Sequence, residues 1–166
     1  MEENKSTQVA TTNEATGLST DSVVQYIVVK IGSEQYGINI KYVDNIVRMQ
    51  NITRVPKAQT YYRGVINLRG EIVPVMSLRL RLGLEADQFS NKTRIIIVKL
   101  ENATIGIIVD EVREVVNLTE EDVERTGYEQ NTDVNKTNYI SAVGKSNNEL
   151  ISLLDVSAVI NEKVEG

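Results

Sequence analysis

The sequence contains no cysteine, no histidine and no tryptophan. Without thiolate or imidazole groups, zinc and haem sites and the Ser-His or Cys-His pairs of nucleophilic catalysis are excluded. Disulfide bonds are impossible, so the fold depends on its own apolar core. We therefore expect a protein without a metal and without a cofactor.

Membrane-spanning runs and strong positive charge are also missing. No segment approaches the roughly 20 apolar residues of a transmembrane helix, and the polar N-terminus lacks the apolar centre of a signal peptide. The net charge of −5 argues against nucleic acid and anionic membranes as partners. Residues 1–22 are rich in Thr, Asn, Ser and Glu, which predicts a disordered tail, with structure beginning near Val23.

What the chain does contain is an internal repeat. Residues 26–49 align without a gap with residues 95–118, and residues 64–78 align with residues 142–156. Identical pairs include Lys30 with Lys99, Gly37 with Gly106, and Glu71 with Glu149. Chance explains short β-rich similarities, but it explains poorly an ungapped 24-residue register followed by a second matching block. Two copies of about five short strands predict twin small barrels.

The apolar run "RIIIVKL" indicates how the barrels pack. It does not alternate: Ile95 and Ile97 point to one face of the strand, while Ile96 and Val98 point to the other. One set must fill its own barrel, and the other must contact the sister barrel, a partner protein or both. Two short helices are also predicted, one capped by Ser77 and a C-terminal one capped by Asp155, at the aligned end of each copy.

The hairpin "RGVINLRGEIVPV" carries two arginines, two glycines and a polar Asn67. Gly70 is predicted to turn the hairpin, where φ is positive, and Gly64 to admit the preceding loop. The matching segment of the second copy keeps the apolar pattern but has neither arginine. This asymmetry favours a docking contact over a structural turn residue for Arg69.

Catalytic chemistry is sought among the carboxylates and not found. Asp110, Glu111 and Glu114 allow a glycosidase-type pair or a hard-cation site, but the absence of a calcium-ligand ladder favours a solvated acidic face. No phosphate-binding loop is present, and no serine or threonine has a base to activate it. Arg79 and Arg81 form a small basic strip. The chain is therefore predicted to be a binding protein and not an enzyme.

A family resemblance rests on six motifs. They are "YGI" at 36–38, "RGVINLRG" at 63–70, "IVPV" at 72–75, "SLR" at 77–79, "IGIIVDEV" at 105–112 and "LLD" at 153–155. With them the sequence resembles the CheW-like family of chemotaxis coupling proteins, from about Gln25 to Val164. The resemblance implies a mostly β fold of two SH3-like five-stranded barrels with short helices and a C-terminal helix.

The implied domain spans residues 23–164, with halves of roughly 36–92 and 93–154 that exchange strands at the N- and C-terminal ends. The implied role is a non-catalytic adaptor that couples the cytoplasmic helical hairpin of chemoreceptors to the regulatory domain of the histidine kinase CheA. Such a protein is cytoplasmic and reaches the membrane only through receptor arrays.

The resemblance also implies contact residues. Receptor-binding candidates are Val43, Asn67, Arg69, Ile95 and Ile97; kinase-binding candidates are Ile52, Val55 and Val112. Each has an alternative, since the valines and isoleucines also suit a core and Arg69 suits an exposed turn.

Asn45 stands where the family often has an acidic residue that pairs with the arginine at position 69, whereas its second-copy counterpart, Glu114, keeps the charge. Two other functions stay open. One is a regulatory module that binds a small ligand or anion through Arg69, and the other is a catalytic barrel using Asp110 and Glu114.

Overall fold

The computed structural model describes residues 22–125 and 139–161. Residues 1–21 of the predicted tail lie outside the described residues. Within the described residues, no helix has the length and apolar character needed to cross a bilayer.

Short strands make up most of the described chain. They are β1 (Val24–Ile31), β2 (Glu34–Asn39), β3 (Val43–Arg48), β4 (Tyr62–Leu68), β5 (Glu71–Ser77), β6 (Arg94–Lys99), β7 (Thr104–Val109), β8 (Glu111–Leu118), β9 (Val123–Glu124), β10 (Ile140–Ser146) and β11 (Glu149–Leu154). Helix α1 spans Leu78–Arg81 and helix α2 spans Val156–Ile160. Single 3₁₀ turns at Ile40–Tyr42 and Glu120–Asp122 precede β3 and β9.

These strands form two sheets, which confirms the predicted pair of barrels. The first sheet has the order β3-β6-β7-β5-β4, and the second has the order β9-β10-β11-β2-β1-β8. The first sheet curls back on itself where Thr53 and Val65 exchange two backbone hydrogen bonds of 2.8 Å. In the second sheet β9, which follows β8, pairs with β10 in the same way.

The hairpin that begins each repeat lies in the barrel of the other repeat. The β1–β2 hairpin belongs to the second sheet, and the equivalent β6–β7 hairpin belongs to the first. Strand membership therefore differs from a division of the chain at residues 92 and 93. Each exchanged hairpin pairs in parallel with a strand of the barrel that it enters. Gly37 of β2 pairs with Leu153 of β11, and Gly106 of β7 pairs with Val75 of β5. At Gly37 and Gly106 an added Cβ would lie 2.8 and 2.7 Å from a side-chain carbon of Leu153 and Ile95, so a larger residue at either joint would force that side chain to shift.

The repeat extends to turns and helix caps. The β4–β5 turn has positive φ at Arg69 and Gly70, and the β10–β11 turn has positive φ at Asn147 and Asn148. The predicted caps are confirmed: the Ser77 side chain accepts a hydrogen bond from the Leu80 backbone, and Asp155 accepts one from Ala158. Both cap bonds occupy aligned positions of the two copies.

Three apolar clusters stabilise the fold. The first barrel encloses one that includes Ile95 and Ile97. The second barrel encloses another, and a larger central cluster between the barrels includes Ile96 and Val98. The four consecutive residues are 0 to 1% exposed. The prediction that this strand serves two apolar environments is therefore confirmed, and the outer environment is the sister barrel.

Polar contacts at α1 complete the junction between the barrels. Arg79 donates to both carboxylate oxygens of Asp110, at 2.9 and 2.6 Å, and the Gly32 backbone donates to the same carboxylate at 2.8 Å. Arg81 donates to the backbone oxygens of Val159 and Asn161, both at 2.7 Å. The prediction of a basic strip at these arginines is wrong, because both guanidinium groups have partners inside the molecule.

Candidate partner-binding surfaces

The turn after β4 presents an arginine in an unfavourable backbone conformation. Arg69 has φ 56° and Gly70 has φ 85°, and both residues are exposed. Asn67 Oδ1 accepts a hydrogen bond of 2.9 Å from the Gly70 backbone and so supports the turn. Left-handed backbone costs a residue other than glycine about 1–2 kcal/mol, and less for Asn than for Arg.

The guanidinium of Arg69 has no hydrogen bond or ion pair with any residue that the structure describes. Asn45 does not hold it, because Asn45 Oδ1 accepts a hydrogen bond of 2.8 Å from the backbone of Ile46. An exposed cation that lacks an internal partner is available to an external one. The structure thus brings Asn67 and Arg69 together in one accessible turn.

The other receptor candidates are less accessible. Val43 is half-buried and packs against the central cluster. Ile95 and Ile97 are 0% and 1% exposed inside the first barrel. Their side chains belong to the core and do not reach a surface, so neither residue is placed to contact a receptor directly.

Two of the kinase-binding candidates, Ile52 and Val55, line the same open pocket. The pocket lies at the end of the first barrel, has a volume of about 810 Å³, and is lined by residues 49–52, 54–60, 62, 63 and 89. Ile52 is half-buried against the first-barrel core, while Val55 and Phe89 are 46% and 48% exposed. Positive charge borders these apolar groups, at Arg54, Lys57 and Arg63.

Val112 lies elsewhere. It is half-buried on β8 and packs against the central cluster, so it forms no part of this pocket. More exposed apolar residues occur at aligned positions of the two copies, namely Ile46 with Val115 and Ile72 with Leu150, at 37, 51, 59 and 66% exposure. The repeat register contained this signal, since the outward face of aligned strands carries the same residue class in both copies.

Known proteins share both the sequence motifs and the fold of this chain. The family profile of the CheW-like domain matches residues 25–164. The chain belongs to the CheW-like family. Chemotaxis protein CheW of Bacillus subtilis is 36% identical over 139 residues, covering 82% of this chain and 86% of that protein. Chemotaxis protein CheW of Helicobacter pylori is 33% identical over 142 residues, covering 86% and 84%.

A solved structure is similar throughout. The scaffolding protein TtCheW of Thermoanaerobacter tengcongensis superposes with a TM-score of 0.74 at 30% identity, covering 81% of this chain and 90% of that one. These relatives confirm the prediction of a CheW-like adaptor in chemotaxis. Membership also confirms the predicted fold of two SH3-like barrels.

Two acidic residues of this CheW-like chain, Asp110 and Asp122, serve local structure. Asp122 Oδ2 accepts hydrogen bonds of 2.8 and 3.0 Å from the backbone and hydroxyl of Thr119. Asp110 is bound by Arg79. In residues 22–125 and 139–161 there is no group of three acidic side chains placed to hold a metal ion. The placement of Asp110 as a structural partner of Arg79 leaves it unsuited to the catalytic role considered above.

Two carboxyl groups near α1 have opposite electrostatic environments. Partial burial alone raises the pKa of Asp110, but hydrogen bonds from Arg79 and the Gly32 backbone outweigh it and lower that pKa. Burial raises the pKa of Asp87, with the nearby Asp110 charge adding to it, whereas Ser77 and Arg63 oppose it. Both Asp87 carboxylate oxygens are buried, and neither has a hydrogen-bond partner among the described residues. Ser77 favours the charged form but lies outside hydrogen-bond geometry, so burial dominates.

Proposed function

We propose that this chain is a non-catalytic cytoplasmic adaptor that joins the helical hairpin of a chemoreceptor to the regulatory domain of the kinase CheA. The observation that carries the proposal is Arg69, an exposed cation that has no ion pair with the residues the structure describes and is held in a left-handed turn. The fold does not require arginine there, because the second copy builds the same turn from Asn147 and Asn148. Membership of a family of chemotaxis scaffolds supports the proposal.

The receptor surface is assigned to Asn67 and Arg69, and Val43, half-buried on β3, is kept as a separate receptor-binding candidate. The kinase surface is assigned to the pocket that contains Ile52 and Val55. Val112 is retained as a second-barrel position whose contribution to kinase binding is tested separately. The two surfaces are formed by different loops of the first barrel, so their effects on binding are separable.

Pairwise binding measurements test this assignment. Arg69→Asn keeps a residue that tolerates positive φ and removes the cation, so we expect receptor affinity to fall at least tenfold while kinase affinity is unchanged. Val55→Asp places a charge on an exposed loop residue, so we expect the reverse. Titrations of a receptor cytoplasmic fragment and of the kinase regulatory domain measure both. Lys145→Asn, at the second-copy position equivalent to Asn67, is the control.

Wild-type protein that is folded and binds neither partner would contradict the proposed function. Variants that each weaken both partners equally would contradict the separation of the surfaces. Loss of folding is monitored by the melting temperature, which we expect to stay within a few degrees of wild type for all three variants because each site is exposed.

A further inference from the structure

The pocket at the end of the first barrel concentrates positive charge in an acidic molecule. Its lining includes Arg54, Lys57 and Arg63 and no carboxylate, although the whole chain has a net charge of −5. None of the three cations forms an ion pair within the described ranges 22–125 and 139–161. The pocket therefore attracts negative charge that the described residues do not place there.

The same pocket offers apolar contact. Val55 and Phe89 are about half exposed, and the guanidinium of Arg63 lies 5.9 Å from the centre of the Phe89 ring. A volume of about 810 Å³ lies within the roughly 300–1,000 Å³ typical of ligand pockets. The pocket is thus large enough for one apolar side chain with charged neighbours, and it is too open and too cationic to bury apolar groups alone.

Asp87 is the candidate for an internal counter-charge to Arg63, but burial disfavours the charged form of this carboxyl group. Its oxygens are shielded from water and have no hydrogen-bond partner in the described part of the chain. The groups that face it are Arg63 from β4, Ser77 from β5, Arg79 from α1 and Asp110 between β7 and β8. Arg79 is already bound by Asp110. Burial raises the pKa of Asp87, and no ion pair joins its carboxylate to Arg63 in the described part of the chain, so the guanidinium of Arg63 is available to the pocket.

The second barrel shows that this chemistry is not a requirement of the fold. The described start of its corresponding segment, which follows β8 as the pocket loop follows β3, carries Glu120, Glu121, Asp122 and Glu124 with one cation, Arg125. This stretch is therefore mainly acidic, whereas the pocket loop of the first barrel is basic. Charge of this kind sets the choice of partner and the rate of association more than it sets stability.

We propose that the pocket binds an acidic segment of the kinase regulatory domain that carries an apolar anchor, with Arg54, Lys57 and Arg63 contacting its carboxylates and Val55 and Phe89 its anchor. This inference rests on the proposed function, because it names the chemistry of the partner at the kinase surface. The proposal requires that attraction between opposite charges contributes to binding. Apolar contact with Val55 and Phe89 alone would give binding that does not depend on charge.

Charge reversal tests the inference. The double variant Arg54→Glu, Lys57→Glu changes two exposed loop residues, and we expect its affinity for the kinase regulatory domain to fall tenfold or more at low salt. Wild-type affinity should fall with added salt, and that salt dependence should be weaker in the double variant. Lys41→Glu, Lys145→Glu changes the net charge equally at exposed positions outside the pocket, and we expect it to bind within twofold of wild type.

The outcomes separate this inference from the proposed function. If the wild-type chain fails to bind the kinase domain, the proposed function is lost and the inference with it. If the wild type binds, Val55→Asp weakens binding and the pocket reversal behaves like its control, then only the inference is overturned. Sedimentation of the isolated chain is measured in parallel. Self-association that the pocket reversal abolishes would identify a second copy as the occupant and would also overturn the inference.

Discussion

The two copies of the repeat share a backbone and differ in their chemistry. Both have a bulged hairpin, a turn with positive φ and a short helix with a side-chain cap at aligned positions. Only the first copy has arginines at 69, 79 and 81; the aligned residues of the second are Asn147, Ser157 and Val159. Features common to both copies are needed by the fold, and features of one copy need a separate explanation.

That explanation is not the same for each arginine. Arg79 and Arg81 bind Asp110 and the end of α2, so they hold the two barrels together. Arg69 has no such partner in the described chain. Asymmetry between copies therefore identifies candidates, and only the presence or absence of an internal partner separates a structural residue from a docking residue.

Gly64 and Ala142 give the sharpest test of what the copies share. They align at the same bulge, but an added Cβ on Gly64, at φ 140°, would lie 2.1 Å from the backbone oxygen of Thr53. We expect Gly64→Ala to lower the free energy of unfolding by about 3 kcal/mol or more, because a backbone atom must move. Urea denaturation measures it, with Ala142→Gly, expected to cost about 1 kcal/mol, as the matched variant. Equal effects would show that the two bulges are the same.

Asp110 tests a contact that only one copy makes. Its pKa is lowered in the folded chain, so its stabilising contribution is fully present above the ordinary value of 3.8 and is lost as pH falls through the lower folded value. We expect Asp110→Asn to lower the free energy of unfolding at pH 7 by about 1–2 kcal/mol, since one charge-assisted pair with Arg79 is lost.

As pH falls from 3.8 through the lowered folded pKa of Asp110, the difference between Asp110→Asn and wild type should shrink, because the carboxyl group becomes protonated and, like Asn, presents a neutral side chain to Arg79. Denaturation at a series of pH values measures this. A difference that is constant from pH 7 to the acid limit would contradict a contribution from the charged carboxylate.

Asp87 should show the opposite sign. Its folded pKa is raised, so the contribution of Asp87 to stability is most favourable below the ordinary value of 3.8 and declines as pH rises through the raised folded value. We expect Asp87→Asn to increase the free energy of unfolding at pH 7 by up to about 1 kcal/mol, because a buried charge is removed. The same pH series measures it. A loss of stability at pH 7 in Asp87→Asn would contradict this account, because it would mean that the Asp87 carboxylate has stabilising hydrogen-bond or ion-pair partners.

Much of the fold is readable from the sequence because it is repeated. The ungapped register predicts the twin barrels, and the non-alternating "RIIIVKL" predicts a strand buried on both faces. The exchange of hairpins is not predictable in this way, because alignment relates equivalent strands without saying which strands pair. The sheet order that places β6 and β7 in the first barrel depends on long-range contacts.

The candidate surfaces were predicted less completely. Asn67 and Arg69 lie at the β4–β5 turn, and Ile52 and Val55 lie in the segment between β3 and β4; the family resemblance named all four as contact candidates. Ile95 and Ile97 suit either a groove or a core, and only burial separates the two. The Arg79–Asp110 contact and the burial of Asp87 join segments far apart in sequence, and no local pattern encodes them.

We propose that the repeated scaffold carries its receptor contact in one turn, through Arg69, a cation that has no ion pair in the described part of the chain. Calorimetric titration of a receptor cytoplasmic fragment into wild type and Arg69→Asn tests it most directly. The account predicts at least a tenfold loss of affinity with a melting temperature that is unchanged or higher. An unchanged affinity in the folded variant would contradict it.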